Sequence, residues 1–179
     1  MTRALLIISA AAACTAVPVR SQVRLELDAG LGYSIVDVEA VAESDGAVAQ
    51  DWNQFMYRAA VRAFFSETSS FQVGAELGYQ YFYWYQVRIP YGDFPITRAY
   101  DHSGETALGV LRLTQSRTVI DFAGGLAFVG DTRPMVSVAV GREVIPNLLV
   151  RVRADALLTG QFTAPLGVSV SYALNAGGQ

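Results

Sequence analysis

The feature that most constrains this chain is an alternation of apolar with small or polar residues, renewed in segment after segment. Neighbouring side chains of a β-strand point to opposite faces, so such alternation marks strands whose two faces meet different surroundings. In the first segment Val23, Leu25, Leu27, Ala29, Leu31, Tyr33 and Ile35 share one face, with Arg24, Glu26, Asp28, Gly30, Gly32 and Ser34 opposite. The second sets Phe55, Tyr57, Ala59, Val61, Ala63 and Phe65 against Met56, Arg58, Ala60, Arg62 and Phe64. The third sets Phe71, Val73, Ala75, Leu77, Tyr79, Tyr81 and Tyr83 against Gln72, Gly74, Glu76, Gly78 and Gln80.

Five shorter segments follow. Between His102 and Leu113, Thr106, Leu108 and Val110 are assigned to the apolar face, and Glu105, Ala107 and Gly109 to the other. Then Ile120, Phe122, Leu126 and Phe128 oppose Asp121, Ala123, Gly125 and Ala127, and Val136, Val138 and Val140 oppose Ser137, Ala139 and Gly141. Leu148, Val150, Val152, Ala154 and Ala156 oppose Arg151, Arg153 and Asp155; last, Leu166, Val168, Val170, Tyr172 and Leu174 oppose Gly167, Ser169, Ser171 and Ala173. The expected fold is all-β: a closed antiparallel up-and-down barrel of about eight strands over residues 22–175, with a short tail at 176–179. Tight links are expected at 66–70, 114–117 and 144–146, and long polar loops at 36–53 and 86–101.

The N-terminus reads as an export signal. Arg3 precedes an apolar stretch from Ala4 to Ala13, too short for a spanning helix and right for a secretory leader. Val19 and Ser21 approximate the small residues of a cleavage site, giving a leader of residues 1–21. Cys14 is the only cysteine, so a mature chain without the leader has neither disulfide nor cysteine metal site; the alternative is a lipoprotein acylated at Cys14. After Gln22 no uncharged apolar run reaches helix-spanning length, and the other backbone arrangement that satisfies itself in lipid is a closed barrel.

Volume decides which face looks inward. An eight-stranded barrel holds little more than its own side chains, and the apolar face carries roughly forty, many of them large. That face must look outward, with the small residues filling the lumen. Charge agrees: Arg24, Arg58, Arg62, Arg151 and Arg153 fall on the inner face with Glu26, Asp28, Glu76, Glu105, Asp121 and Asp155. Near-balance is required, because an enclosed unpaired charge is very costly. Arg112 and Arg142 are assigned to the outer face, at strand ends where an Arg can snorkel. Tyr33, Phe55, Tyr57, Tyr79, Tyr81, Tyr83 and Phe128 at one end, and Phe65, Phe71 and Tyr172 at the other, form the expected aromatic girdle. All thirteen basic residues are Arg, the net charge is −3, and no basic patch exists; nucleic acid is therefore not an expected partner.

The leader, the opening LELDAGLGYS (Leu25 to Ser34) and FQVGAELGYQYF (Phe71 to Phe82) resemble the outer-membrane β-barrel domain family of OmpA/OmpX-type proteins. The last strand, Gly167 to Tyr172, resembles the C-terminal signal read by the barrel-insertion machinery, although Val170 stands where an aromatic is common and the chain continues to Gln179. The resemblance implies a monomer in the bacterial outer membrane, surrounded by lipid and lipopolysaccharide, with both termini and the tight links on the periplasmic side.

Chemistry is sparse. The only histidine, His102, lies beside Ser103, and adjacent strand residues face opposite sides. A lipid A deacylase-like Ser–His pair would need a serine from another strand. Glu76 and Glu105 could form an acid pair but are expected in salt bridges. No cofactor or metal site is expected. The first long loop holds Asp37, Glu39, Glu43, Asp45 and Asp51 without a basic residue; the second mixes Tyr85, Tyr91, Phe94 and Tyr100 with Arg88 and Arg98. Rigid scaffolds commonly carry function on such loops. The functional expectation is a non-enzymatic barrel with recognition or adhesion through these loops, or a structural envelope role. A lipid-modifying enzyme and a soluble lipocalin-like carrier are the alternatives.

Overall fold

A computed structural model describes residues 23–44, 46–65, 70–90, 95–158 and 163–174. The proposed leader, Cys14, the tail, Asp45, Tyr91, Phe94 and most of the 66–70 link lie outside the described residues. The elements are β1 (Val23–Ile35), α1 (Val38–Ser44), β2 (Val48–Asn53), β3 (Phe55–Phe65), β4 (Phe71–Ile89), β5 (Ile96–Gln115), β6 (Thr118–Val129), β7 (Asp131–Ile145), β8 (Leu148–Leu157) and β9 (Ala164–Leu174).

Every pairing is antiparallel, and the sheet closes on itself. β2 and β3 are two lengths of one stave, interrupted at Gln54, and both pair with β4. Eight staves therefore make the barrel. Its stagger can be read from the ladder. Partners followed from Leu31 through Tyr57 and Tyr81 reach Ser103 on β5. Followed the other way, through Val168, Val152, Val140 and Ile120, they reach Leu113 on the same strand. The offset from Ser103 to Leu113 is the shear that closure of tilted strands requires.

One end carries short turns. Gln115 pairs with Thr118 across Ser116 and Arg117, and Ile145 with Leu148 across Pro146 and Asn147. Ser116 and Asn147 take positive φ, 56° and 69°; Pro before a left-handed Asn suits a tight turn of type II. At the other end the staves are longer. Instead of the two long polar loops expected at 36–53 and 86–101, the first region folds into α1 and β2, and the second continues β4 to Ile89 and β5 from Ile96. β2, β4 and β5 thus form a three-stranded sheet beyond the rim. The period-two signal was obscured there by aromatic residues on both faces.

The fourth segment takes the opposite phase from the one expected. Thr106, Leu108 and Val110 point inward and are buried, while Glu105, Ala107 and Gly109 point outward. Arg112 follows the same phase and lies in the lumen, 1% exposed, rather than on the outer wall. A buried cationic anchor and a demand for apolar packing high in the lumen outweigh the local hydrophobic pattern of this strand.

Tyr83 also departs from expectation. The β4–β5 register shifts between Tyr81 and Tyr83, a bulge at Phe82. A bulge places two successive residues against one partner and changes which face follows. Phe82 and Tyr83 both end up buried, and Tyr83 leaves the girdle for the interior.

The outer wall is apolar over the remaining strands: Leu27, Leu31, Val61, Val73, Leu77, Phe122, Val138, Val152, Val168 and Val170 are all exposed. The lumen has two zones. Ionic groups fill the part nearer the turns. Nearer the sheet, Phe82, Leu108, Ala127, Val129, Met135 and Leu157 join Val38, Val41 and Ala42 of α1 in one buried apolar cluster with Tyr83, Tyr85 and Val87. α1 therefore caps the barrel.

Candidate functional site

The ionic zone brings together side chains from seven of the eight staves. Glu76 on β4 accepts from Arg58 Nη2 at 2.7 Å and Arg62 Nε at 2.6 Å on β3, and from Arg153 Nη1 at 3.0 Å on β8. Asp121 on β6 accepts from Arg62 Nη1 at 2.9 Å, Arg112 Nε at 2.7 Å and Arg151 Nη1 at 2.7 Å. Arg112 also grips Glu26 of β1 with both terminal nitrogens, at 2.5 and 2.9 Å, and its guanidinium lies 4.0 Å from the centre of the Phe64 ring. Arg151 and Ser171 both donate to Asp28. Arg153 Nε reaches Asp155 at 2.6 Å, and Gln80 Nε2 reaches the same carboxylate at 3.1 Å.

Five buried arginines (58, 62, 112, 151, 153) thus face five buried carboxylates (26, 28, 76, 121, 155). Forked, charge-assisted contacts satisfy most of their donors, and Arg suits such enclosed networks better than Lys would. Of the residues expected in the lumen, all but two belong to this set. Glu105 is exposed on the outer wall, so no Glu76–Glu105 acid pair exists. Arg24 sits at the turn-end mouth with a side chain 39% exposed, and from there it pairs with Glu26 of the network, Nε to Oε1 at 3.1 Å. Arg112 was missed because the hydrophobic pattern around it favoured the opposite phase; Asp121, left with too few inner cations, was the available signal.

The expected girdle residues Tyr33, Phe55, Tyr57, Phe71, Tyr79 and Tyr172 are exposed on the outer wall, and Phe65, Tyr81 and Phe128 are half-buried there. Tyr57 and Tyr81 stack at 4.9 Å.

Above the rim, the stave break at Gln54 is fixed by local bonds: Ser34 N–H donates to the Gln54 carbonyl at 2.8 Å, Gln54 Nε2 donates to the Val36 carbonyl at 2.7 Å, and Tyr33 donates to Oε1. β1 and β3 are thereby locked while β2 continues upward. α1 starts at an Asp N-cap, Asp37 Oδ1 accepting from Ala40 N–H at 3.0 Å. Its apolar side packs on the inner face of the sheet. There His102 stacks between tyrosines, 4.3 Å from Tyr83 and 5.5 Å from Tyr85, and Tyr85 stacks on Tyr100 at 5.2 Å. Burial in this stack, reinforced by Arg133 and opposed by Asp101, pushes the imidazole down to about 4. His102 thus turns inward, and Ser103, paired with the outward-facing Tyr81, lies on the opposite face. Among the described residues no strand pairs with the outer edge of the sheet. β2 pairs with β4 alone, Val48 and Trp52 are exposed on it, and a register shift between Ala49 and Asp51 interrupts its ladder. Among the described residues no group of metal-ligating side chains is assembled, and no helix is long and apolar enough to cross a membrane.

No protein-family model matches the chain, and no curated protein does. Among solved structures, the chain is similar to the outer membrane protein Ail of Yersinia pestis in a phospholipid bilayer nanodisc, at 10% identity and a TM-score of 0.49, covering 83% of this chain and 99% of that one. It is similar to a de novo designed transmembrane β-barrel, at 11% identity and 0.46 over 84% and 95%, and to the outer membrane enzyme PagL, at 11% and 0.44 over 83% and 99%. What the chain has in common with these proteins is a barrel architecture.

Proposed function

We propose that the chain is a non-enzymatic outer-membrane barrel whose task is recognition at the cell surface, exercised by the three-stranded sheet beyond the rim. The observation that carries this reading is the arrangement of the two ends. A lumen occupied by ion pairs and capped by α1 opposes passage of a solute, whereas among the described residues the sheet presents an unpaired edge with Val48 and Trp52 exposed. An open edge can accept an extended segment of another protein by strand addition. The apolar outer wall supports immersion in lipid, since contiguous exposed apolar surface of this extent is foreign to a water-soluble monomer. In this orientation the short turns face the periplasm, and the outer leaflet with its lipopolysaccharide surrounds the girdle beneath the sheet. The same wall opposes a soluble lipocalin-like carrier, whose apolar side chains would face the lumen.

The test displays the full chain on cells and measures adherence to immobilised extracellular-matrix proteins. Replacing both Val48 and Trp52 with Lys charges the exposed edge without removing any ladder donor, and is expected to cut adherence at least fivefold while the barrel still folds. Unchanged adherence would assign the chain a structural envelope role. A lipid-modifying enzyme is disfavoured by the inward, tyrosine-packed setting of His102. The His102→Ala variant is expected to leave the mass of lipid A in expressing cells unaltered, and a change would restore the enzymatic reading.

A further inference from the structure

At the turn end the lumen opens into a cavity of about 140 Å³ between the β5–β6 and β7–β8 turns. Its cations outnumber its anions. Arg112 contributes to the wall, but its guanidinium is already committed to Glu26 and Asp121. Arg24 is committed less firmly: it forms an ion pair with Glu26, but both oxygens of that carboxylate are already held by Arg112. Arg24 Nε lies 3.1 Å from Glu26 Oε1, yet it is buried and makes no hydrogen bond. Arg117, in the two-residue turn, pairs with no carboxylate among the described residues. Against these two stands Glu143, one oxygen of which accepts the Asn147 backbone N–H at 2.8 Å.

The neutral part of the lining is rich in donors. Thr114, Ser116, Gln72 and Asn147 line the same space, with Val119 and Leu149 beside them. A buried donor without an acceptor is costly, and a concave site with surplus guanidinium charge and hydroxyl-bearing residues in its wall suits a tetrahedral oxyanion. The volume is several times the ~30 Å³ that one water occupies in the liquid, enough for one phosphate group.

We infer that this mouth is a phosphate-binding site, held by Arg24 and Arg117, with Thr114 and Ser116 completing the cradle. The phosphate could be supplied free in solution or on the headgroup of a lipid in the adjoining leaflet; the chemistry of recognition is the same.

The experiment titrates the folded full chain, in a phosphate-free sugar detergent at low salt, with inorganic phosphate by calorimetry. A second arm uses dihexanoyl phosphatidylglycerol below its micellar concentration. One saturable site is expected, and the probe that binds more tightly identifies the source. Arg117→Gln, at an exposed turn, should weaken binding roughly tenfold; Arg24→Gln with Arg117→Gln should abolish it. Glu143→Gln, which keeps an acceptor for Asn147, should tighten binding, a gain that misfolding cannot mimic. Arg98→Gln, at the opposite end, should change nothing. Absence of saturation with either probe, or binding indifferent to Arg117→Gln and Glu143→Gln, would overturn the assignment.

Discussion

At the scale of single residues, the energetic weight lies in a few enclosed charges. Glu76 pairs with three arginines, so Glu76→Gln leaves one more unbalanced positive charge in the lumen. Breaking such a pair costs about 3–5 kcal/mol, which should lower the urea midpoint of the detergent-folded protein markedly. Arg112→Met should cost a comparable amount, because two carboxylates lose their forked partner. Arg142→Met, at an exposed position on β7, should change stability by less than about 0.5 kcal/mol. Equal effects of the two arginine substitutions would contradict the placement of Arg112. Most lumen residues were legible because a strand with Arg or Glu at every second position leaves one reading. Glu105 and Arg112 were not: their strand alternates two apolar series of similar strength, and only the lumen contents of other staves decide between them.

At the scale of elements, the cap shows where pattern reading stops. Alternation identified eight staves, yet the region between Val36 and Asn53 has a short helix and an edge strand where a solvated acidic loop was expected. Val38, Val41 and Ala42 are too few to announce an amphipathic helix by periodicity, and α1 is held mainly by the tyrosine-lined sheet beneath it. The Phe82 bulge is equally silent, since nothing in a run of aromatics marks where the phase changes. Two tests belong here. Val41→Asp places a carboxylate against that apolar cluster and should speed hydrogen exchange of α1 and β2 while the ionic zone stays protected. His102 supplies a pH dependence. An unfolded histidine protonates near 6.5, whereas the stacked imidazole stays neutral down to about 4. Opening the cap therefore takes up a proton between those values, so its stability, full above pH 6.5, falls as the pH drops toward 4. Protection factors of β4 and β5 amides above the rim, which correct for the pH dependence of intrinsic exchange, should fall as the pH drops across that window in the wild type, and His102→Phe should flatten the slope.

For the molecule as a whole, the apolar wall and the ionic lumen make lipid the environment that satisfies both. Membrane fractionation should place the chain in the outer membrane, and gel migration should shift on boiling. Recovery as a soluble periplasmic species without a shift would refute the proposed location. The architecture was legible because two facts that alternation reveals, bulk on one face and charge on the other, admit one orientation in a barrel this narrow. The length of the staves beyond the rim was not, since the girdle marks the lipid boundary but not how far the strands continue past it.

The ion pairs that cross the lumen join strands far apart in the chain, Arg112 to Glu26 and Arg153 to Glu76, and on the closing seam Ser171 of the last strand donates to Asp28 of the first. An unfinished sheet would expose its arginines and carboxylates uncompensated to hydrocarbon. In the membrane setting proposed above, the electrostatics would act as a checkpoint on biogenesis, delaying entry into the bilayer until the final hairpin arrives and making insertion all-or-none. A chain truncated before Ala164 should remain protease-sensitive and membrane-peripheral when offered to vesicles that the intact chain enters.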